Sequence, residues 1–188
     1  MKAMGSSGHP YNGSVFQVRL GTGPEGRILE PELASLCVFA ESMKTVNKSV
    51  LIWYSPAEMF TLVTQVEQYP QFLPWCDHAR VLESDAEGVV AEVGIALSGL
   101  RQTFTTRNTH VQDRSVHMHL VRGPFSQLEG EWRFLPVGQG TERACRVELT
   151  LQYGFDSGAL ATLVGPIFDR IANSMVEAFV ARAEQVYG

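Results

Sequence analysis

Two short motifs carry the side chains best suited to chemistry. His117 and His119 are two residues apart in a segment that alternates with apolar residues, so they would share one strand face and provide two metal ligands. The sequence dictates no third ligand, and we therefore expect a solvated histidine pair and no metal site. Cys76-Asp77-His78 places a thiol near an imidazole in sequence, but this spacing does not establish the geometry of a nucleophile and its base. We predict no catalytic residue.

A glycine-rich motif, Gly21-Thr22-Gly23-Pro24-Glu25-Gly26, follows a strand-like segment near the N-terminus. It matches the GxGxxG pattern of dinucleotide-binding folds, in which a helix begins at the glycines and receives the pyrophosphate. Pro24 and Pro31 interrupt such a helix, and no βαβ pattern follows. We interpret the motif as part of an N-terminal extension, residues 1–42, which is expected to be flexible or not native. Met43 is then the expected natural start.

Arginines in the predicted strands and turns form a third candidate site. A face rich in arginine is typical of surfaces that contact phosphate groups. Four glutamates are interleaved with them: Glu129, Glu131, Glu142 and Glu148. Cross-strand ion pairs on a solvated face explain the same residues, an interpretation that the sequence favours. The arginines concerned are Arg101, Arg107, Arg114, Arg122, Arg133, Arg143 and Arg146.

The composition is that of an ordinary folded domain. The chain has 188 residues, 45% hydrophobic and 19% charged, and no apolar run approaches the roughly 20 residues that span a bilayer. A signal-peptide pattern is missing, so a cytoplasmic location is expected, with peripheral contact at the inner membrane as an alternative. The net charge of −5 argues against DNA binding, and the widely spaced Cys37, Cys76 and Cys145 favour reduced thiols.

The pattern of apolar residues predicts one strand, a short helix, a helical turn, six antiparallel strands and a long helix. Ser55-Pro56-Ala57-Glu58 is a helix start, and the helix ends before Tyr69-Pro70. The last helix, residues 157–186, is apolar over a broad surface and is expected to kink at Gly165-Pro166. Such a helix needs cover around much of its circumference, which a curved sheet provides. The predicted strands are residues 45–53, 78–84, 89–97, 102–111, 115–121, 128–135 and 144–155.

This order of elements resembles the helix-grip (START-like) fold, an α+β fold in which a curved antiparallel sheet of about seven strands wraps a long C-terminal helix. Within that fold, residues 43–188 resemble the coenzyme Q-binding/polyketide cyclase-like family, which includes ribosome-association toxin (RatA-type) proteins. The matching segments are Tyr69-Pro70-Gln71-Phe72-Leu73-Pro74-Trp75-Cys76, Phe104-Thr105-Thr106-Arg107-Asn108, Gly123-Pro124-Phe125, Trp132-Arg133-Phe134, Gly165-Pro166-Ile167-Phe168 and Met175-Val176-Glu177-Ala178-Phe179.

The resemblance implies three functions. The first expectation is a carrier without catalytic activity that binds ubiquinone or a similar isoprenoid lipid between sheet and helix and supports respiration. The alternative is a toxin or regulator that binds the large ribosomal subunit and blocks subunit joining, with Arg101, Arg107, Arg133 and Arg146 as contacts. A polyketide cyclase-like enzyme is a weaker alternative, because the inward positions are almost wholly apolar and offer no acid–base pair.

The inward positions of strands and helix supply the expected ligand contacts. From position alone a packed core is favoured over a cavity, whereas the resemblance favours a cavity. The segment after the first helix is equally consistent with a lid that touches a membrane and with a plug at one end of the fold. Its residues are Tyr69, Phe72, Leu73 and Trp75. The predicted cavity residues are Val93, Ile95, Met118, Trp132, Phe134, Leu149, Tyr153, Phe168, Ile171, Met175 and Phe179.

Overall fold

The structure is a computed structural model that describes residues 43–138 and 143–188. These ranges begin with strand β1 (Lys44–Ile52), helix α1 (Pro56–Thr64) and a 3₁₀ helix (Val66–Gln71). The predicted extension, residues 1–42, lies outside the described residues, and its boundary stays a prediction. The remaining elements are β2 (Cys76–Ser84), β3 (Gly88–Leu97), β4 (Leu100–Val111), β5 (Ser115–Arg122), β6 (Phe125–Pro136), β7 (Cys145–Phe155) and helix α2 (Gly158–Tyr187).

The seven strands form one antiparallel sheet with the spatial order β1-β7-β6-β5-β4-β3-β2. Side chains alternate between an inner face, which packs against the helices, and an outer face. On the inner face Trp132 lies opposite Leu149, and on the outer face Glu131 lies opposite Thr150. This alternation is the one that the sequence predicts, and the predicted helix-grip fold is confirmed.

Helix α2 covers the inner face of the sheet. Its residues Phe168, Ile171, Val176 and Phe179 are almost completely buried, as expected for a helix with a broad apolar surface. The helix continues through Pro166, which lies on its exposed side. The carbonyl that loses its helical partner to this proline can therefore bond water, which explains how the helix accommodates the residue.

Helix α1 begins with a capping box. The Ser55 side chain accepts a hydrogen bond from the Glu58 backbone N–H, and the Glu58 carboxylate accepts one from the Ser55 backbone N–H at 2.7 Å. Arg143 adds three hydrogen bonds to that carboxylate, at 2.8–3.1 Å. Its guanidinium also donates to the Tyr187 carbonyl at the end of α2. These contacts fix the start of α1 against the end of α2.

Candidate functional site

A small cavity lies between the inner face of the sheet and α2. Its volume is about 60 Å³, measured as the space open to the centre of a water-sized sphere. Since one water needs roughly 10–15 Å³ on this measure, the cavity has room for a few waters, and a quinone ring enters only if side chains move. The wall consists of Val66, Tyr69, Trp75, Val93, Phe104, Thr106, Asn108, Met118, Leu128, Trp132, Leu151, Phe168, Ile171 and Met175.

Two methionines are the most adaptable parts of this wall. Met118 on β5 lies opposite Gly130 on β6, and a Cβ atom at Gly130 would stand 2.3 Å from the Met118 Cε atom. Glycine at this position therefore leaves room for the methionine side chain. Met175 reaches the wall from α2. Unbranched thioether side chains change rotamer at low cost, so the cavity can widen at these two residues.

One side of the wall is polar. Thr106 and Asn108 follow Phe104 on the inner face of β4 and are only 4% and 6% exposed. The Asn108 Oδ1 atom is buried and accepts no hydrogen bond from the described part of the chain. A buried amide oxygen without a donor is unfavourable, so this position is the point where a ligand that donates a hydrogen bond would gain most. The sequence prediction missed both residues.

The structure brings only part of the predicted cavity set together. Val93, Met118, Trp132, Phe168, Ile171 and Met175 line the cavity. The other five lie on the inner side but fill the core: Ile95, Phe134, Leu149, Tyr153 and Phe179. Phe134, for example, packs edge-on against Phe60 of α1, with 6.1 Å between ring centroids. The alternation of strand residues predicts which side chains lie on the inner face of the sheet. Whether an inner side chain borders the cavity depends on how the helices pack over its position.

Tyr153 has a protein partner for its buried hydroxyl. The hydroxyl donates a hydrogen bond to the Asp169 carboxylate of α2, which also pairs with the Lys44 ammonium at 2.6 Å. Burial and this carboxylate raise the pKa of Tyr153. The group therefore stays a neutral donor that joins β1, β7 and α2, and its role as a ligand contact stays a prediction.

The segment after α1 closes one end of the cavity. Tyr69 and Trp75 line the wall, whereas Phe72 packs on Phe179 with 5.1 Å between ring centroids, and Leu73 is 1% exposed. The Tyr69 hydroxyl donates to the Val63 carbonyl at 2.6 Å. The rings thus point inward as a plug, and a membrane contact stays a prediction. Among the described residues no helix has both the length and the apolarity needed to cross a bilayer.

Among the described residues, neither of the two motifs suited to chemistry forms a complete site. The sheet separates the thiol of the first motif from its imidazole, and the histidine pair of the second has too few neighbouring ligands for a metal. Cys76 lies on the inner side, where burial raises the pKa of its thiol to about 11. His78 lies on the outer face and bonds Asp77 at 2.7 Å. The rings of His117 and His119 are 4.4 Å apart, and within residues 43–138 and 143–188 no group of three potential ligands surrounds them.

The four arginines expected to contact a ribosome all lie on the outer face but do not form one patch. Arg107 is held by both oxygens of Asp85, and Arg101 pairs with Asp77 at 2.8 Å. Arg133 approaches Glu148 at 3.8 Å, and Arg146 lies beside it on β7. An acidic strip on β6, Glu129 and Glu131, lies between β4 and β7. Of the predicted ion pairs with interleaved glutamates, the described residues show Arg133 with Glu148, whereas Glu129 approaches His119. The arginines fall into two groups.

Comparisons with known proteins agree with this architecture. Ribosome association toxin RatA from Vibrio cholerae is 43% identical over 146 residues, which cover 78% of this chain and 99% of that protein. The mitochondrial coenzyme Q-binding protein COQ10 homolog B from Xenopus laevis is 26% identical over 143 residues, 76% of this chain and 59% of that protein. The crystal structure of the Zhui aromatase/cyclase from Streptomyces sp. R1128 superposes with a TM-score of 0.67 at 16% identity, covering 78% and 97% of the two chains.

The family assignment is supported by sequence as well as by fold. Residues 52–180 match the family described as polyketide cyclase/dehydrase and lipid transport, a range that runs from the end of β1 to the second half of α2. The matched range contains the whole cavity wall. The chain belongs to the polyketide cyclase/dehydrase and lipid transport family.

Proposed function

We propose that this protein acts on the ribosome, binding the large subunit and hindering the joining of subunits. The observation that carries this proposal is the 43% identity to a protein named ribosome association toxin over 99% of that protein's length. The relative named for coenzyme Q binding is much less similar, at 26% identity over 59% of its length. The ribosome function therefore replaces the lipid carrier as the first expectation.

The described site supports a role without catalysis. No carboxylate or imidazole belongs to the cavity wall as described, so the wall offers no acid–base pair for a cyclisation. The outer face, by contrast, carries exposed arginines that suit a polyanionic partner. A surface interaction fits these features better than chemistry inside the fold.

Sedimentation tests the proposal directly. The purified protein is layered with isolated large or small ribosomal subunits on sucrose gradients at about 50 and 200 mM salt, a range over which phosphate contacts weaken strongly. We expect co-sedimentation with the large subunit at low salt and a reduced yield of joined ribosomes when both subunits are present. Absence of the protein from the large-subunit fraction at low salt would refute the proposal.

A second candidate function, binding of an apolar ligand with a polar head, is favoured by the cavity itself. The wall combines aromatic rings, two methionines and the amide of Asn108, whose oxygen has no partner among the described residues. Mass spectrometry of solvent extracts from the purified protein should reveal a bound lipid or quinone. Val93→Glu places a charge in the wall and should abolish loading, whereas Val121→Glu, at an exposed position, should not. Equal loading of both variants would exclude the cavity as the binding site.

A further inference from the structure

We propose that the outer face of β2–β5 binds phosphate groups of ribosomal RNA through a set of residues here called the Glu92 cluster. The cluster consists of Arg80, Arg101, Arg122, His78, Glu92 and Asp77. The proposal rests on the ribosomal function proposed above and names the surface and the chemistry of the partner.

Glu92 is the centre of the cluster. It lies on the outer face of β3 but is only 6% exposed, because arginine side chains cover it. Arg80 places both Nε and Nη2 at 2.7 Å from Glu92 Oε1, and Arg122 places Nη2 at 3.2 Å from Oε2. A single carboxylate therefore holds two guanidinium groups that come from β2 and β5, on either side of β3 and β4.

Asp77 extends the same arrangement along the sheet. One of its oxygens bonds His78 at 2.7 Å and the other bonds Arg101 at 2.8 Å. The imidazole of His78 lies over Gly94, where a Cβ atom would stand 2.1 Å from the ring. Glycine at position 94 is therefore required for the histidine to lie between the two carboxylates.

The charges are layered by depth. The side chains of Glu92 and Asp77 are 7% and 28% exposed, whereas those of Arg80, Arg101 and Arg122 are 64%, 79% and 71% exposed. The three arginines exceed the two carboxylates by one positive charge before His78 is counted. The guanidinium groups are therefore more exposed than the carboxylates that hold them, and each has N–H donors that those carboxylates do not use. Arginine forks of this kind match the geometry of phosphate oxygens.

Four other arginines among the described residues are arranged differently. Arg107 is only 26% exposed in its side chain and gives two hydrogen bonds to Asp85, so its charge is locally neutralised. Arg143 is used in the same way by Glu58. Arg133 follows Glu129 and Glu131 on β6, and Arg146 lies one strand further from the cluster, on β7. Arg133 and Arg146, which the sequence offered as ribosome contacts, therefore serve as a control: their variant also loses two arginines and one acid on the same face, but it leaves the Glu92 cluster intact.

The experiment compares Arg80→Gln/Glu92→Gln/Arg122→Gln with Arg133→Gln/Glu148→Gln/Arg146→Gln, each of which removes two arginines and one acid. Neutralising the acid avoids leaving an unpaired carboxylate, and thermal unfolding shows that each variant is folded. Binding is measured by sedimentation with large ribosomal subunits and by fluorescence anisotropy with protein-free RNA from those subunits. For the first variant we expect at least about tenfold weaker binding and a salt slope smaller by about 2, because each of the two arginines removed would neutralise one phosphate.

The outcomes separate this inference from the proposed function. If wild-type protein does not sediment with large subunits, both are overturned. If wild type and both variants sediment equally, only the role of the Glu92 cluster is overturned. If the first variant loses subunit binding but the free RNA binds all three proteins alike, or none, the surface meets a ribosomal protein instead, and the RNA inference is wrong.

Discussion

Replacing Asn108 by leucine should stabilise the protein and weaken the binding of any ligand that reaches the cavity. Asn108 is 6% exposed, and its Oδ1 atom accepts no hydrogen bond from the described residues. An unsatisfied buried polar group destabilises the fold by about 1–3 kcal/mol, a cost that leucine removes. Repacking around a side chain of similar volume costs up to about 1.5 kcal/mol, which reduces this gain. We expect the free energy of unfolding to rise by about 1–2 kcal/mol, which for a domain of this size raises the Tm by about 2–8 °C.

The tryptophans provide an assay for the ligand in the same variant. Trp75 and Trp132 line the cavity, whereas Trp53 is 75% exposed and contributes background emission. In a Trp53→Phe background, quenching by a short-chain ubiquinone analogue should report occupancy of the cavity. A quinone carbonyl only accepts hydrogen bonds, so its partner at this position would be the amide N–H of Asn108. Loss of that hydrogen bond, worth about 1.4 kcal/mol, in Asn108→Leu should lower the apparent affinity about tenfold.

Thr105→Val is the matched control for this prediction. Its Oγ1 atom is also buried without a partner among the described residues, but Thr105 lies on the outer face opposite Glu92. Thr105→Val should also raise the Tm, but it should leave quinone binding unchanged. If Asn108→Leu unfolds at a lower temperature and quinone quenching is unchanged, the amide is satisfied in solution, and its role as a ligand contact is refuted.

Three further predictions concern the cavity, acid stability and the thiols. Gly130→Ala should push the Met118 side chain into the cavity and weaken quinone quenching about tenfold, with a Tm change of only a few degrees, measured by the same titration. The second prediction concerns Glu58, whose pKa is lowered from 4.5 to about 2, chiefly by a hydrogen bond from Arg143. The ionised Glu58 should therefore stabilise the fold above about pH 4.5 by roughly 1 kcal/mol, and urea unfolding of Glu58→Gln should show this advantage disappearing as the pH falls toward 2. Burial raises the pKa of Cys76 and Cys145 to about 11, so peptide mass spectrometry should find both unlabelled by iodoacetamide at pH 8 until urea is added.

The fold could be predicted because nearly every strand has one dry and one wet face. The alternation of β6 and β7 identified the inner residues correctly, and the broad apolar surface of α2 required a sheet that curves around it. Strand ends were less exact: β6 begins at Phe125, three residues before the predicted start. Strand ends depend on pairing with a neighbour, which a single sequence does not display.

The cavity could be predicted only in part. Its position depends on how side chains from several elements pack together, and the residue pattern of one strand does not show this. Phe134 alternates with outer residues of β6 as Trp132 does, yet it packs on Phe60 of α1 and does not belong to the cavity wall. A usable signal was nevertheless present. Thr106 and Asn108 occupy inner positions after Phe104, and polar residues at apolar positions are typical of sites that function requires.

The Glu92 cluster could not be found from spacing at all. Arg80 and Arg122 are 12 and 30 residues from Glu92 in sequence, and only the order of β2, β3, β4 and β5 brings them together. Each strand read alone shows a charged residue at an outer position, which is typical of any solvated sheet. The depth of the carboxylate beneath its arginines distinguishes this group from ordinary surface ion pairs, and depth is a property of the folded chain.

The two faces of the sheet therefore carry different kinds of information about function. An apolar inner face with a long helix is required for folding itself, so proteins named for cyclase activity, for coenzyme Q binding and for ribosome association can share it. Outer positions are free of that requirement, and a partner can select them. Val93 and Glu92 are neighbours in sequence but face opposite sides, one toward the cavity and one toward solvent. Substitutions at the outer positions, such as those in the Glu92 cluster, can thus test ribosome binding while the cavity stays intact.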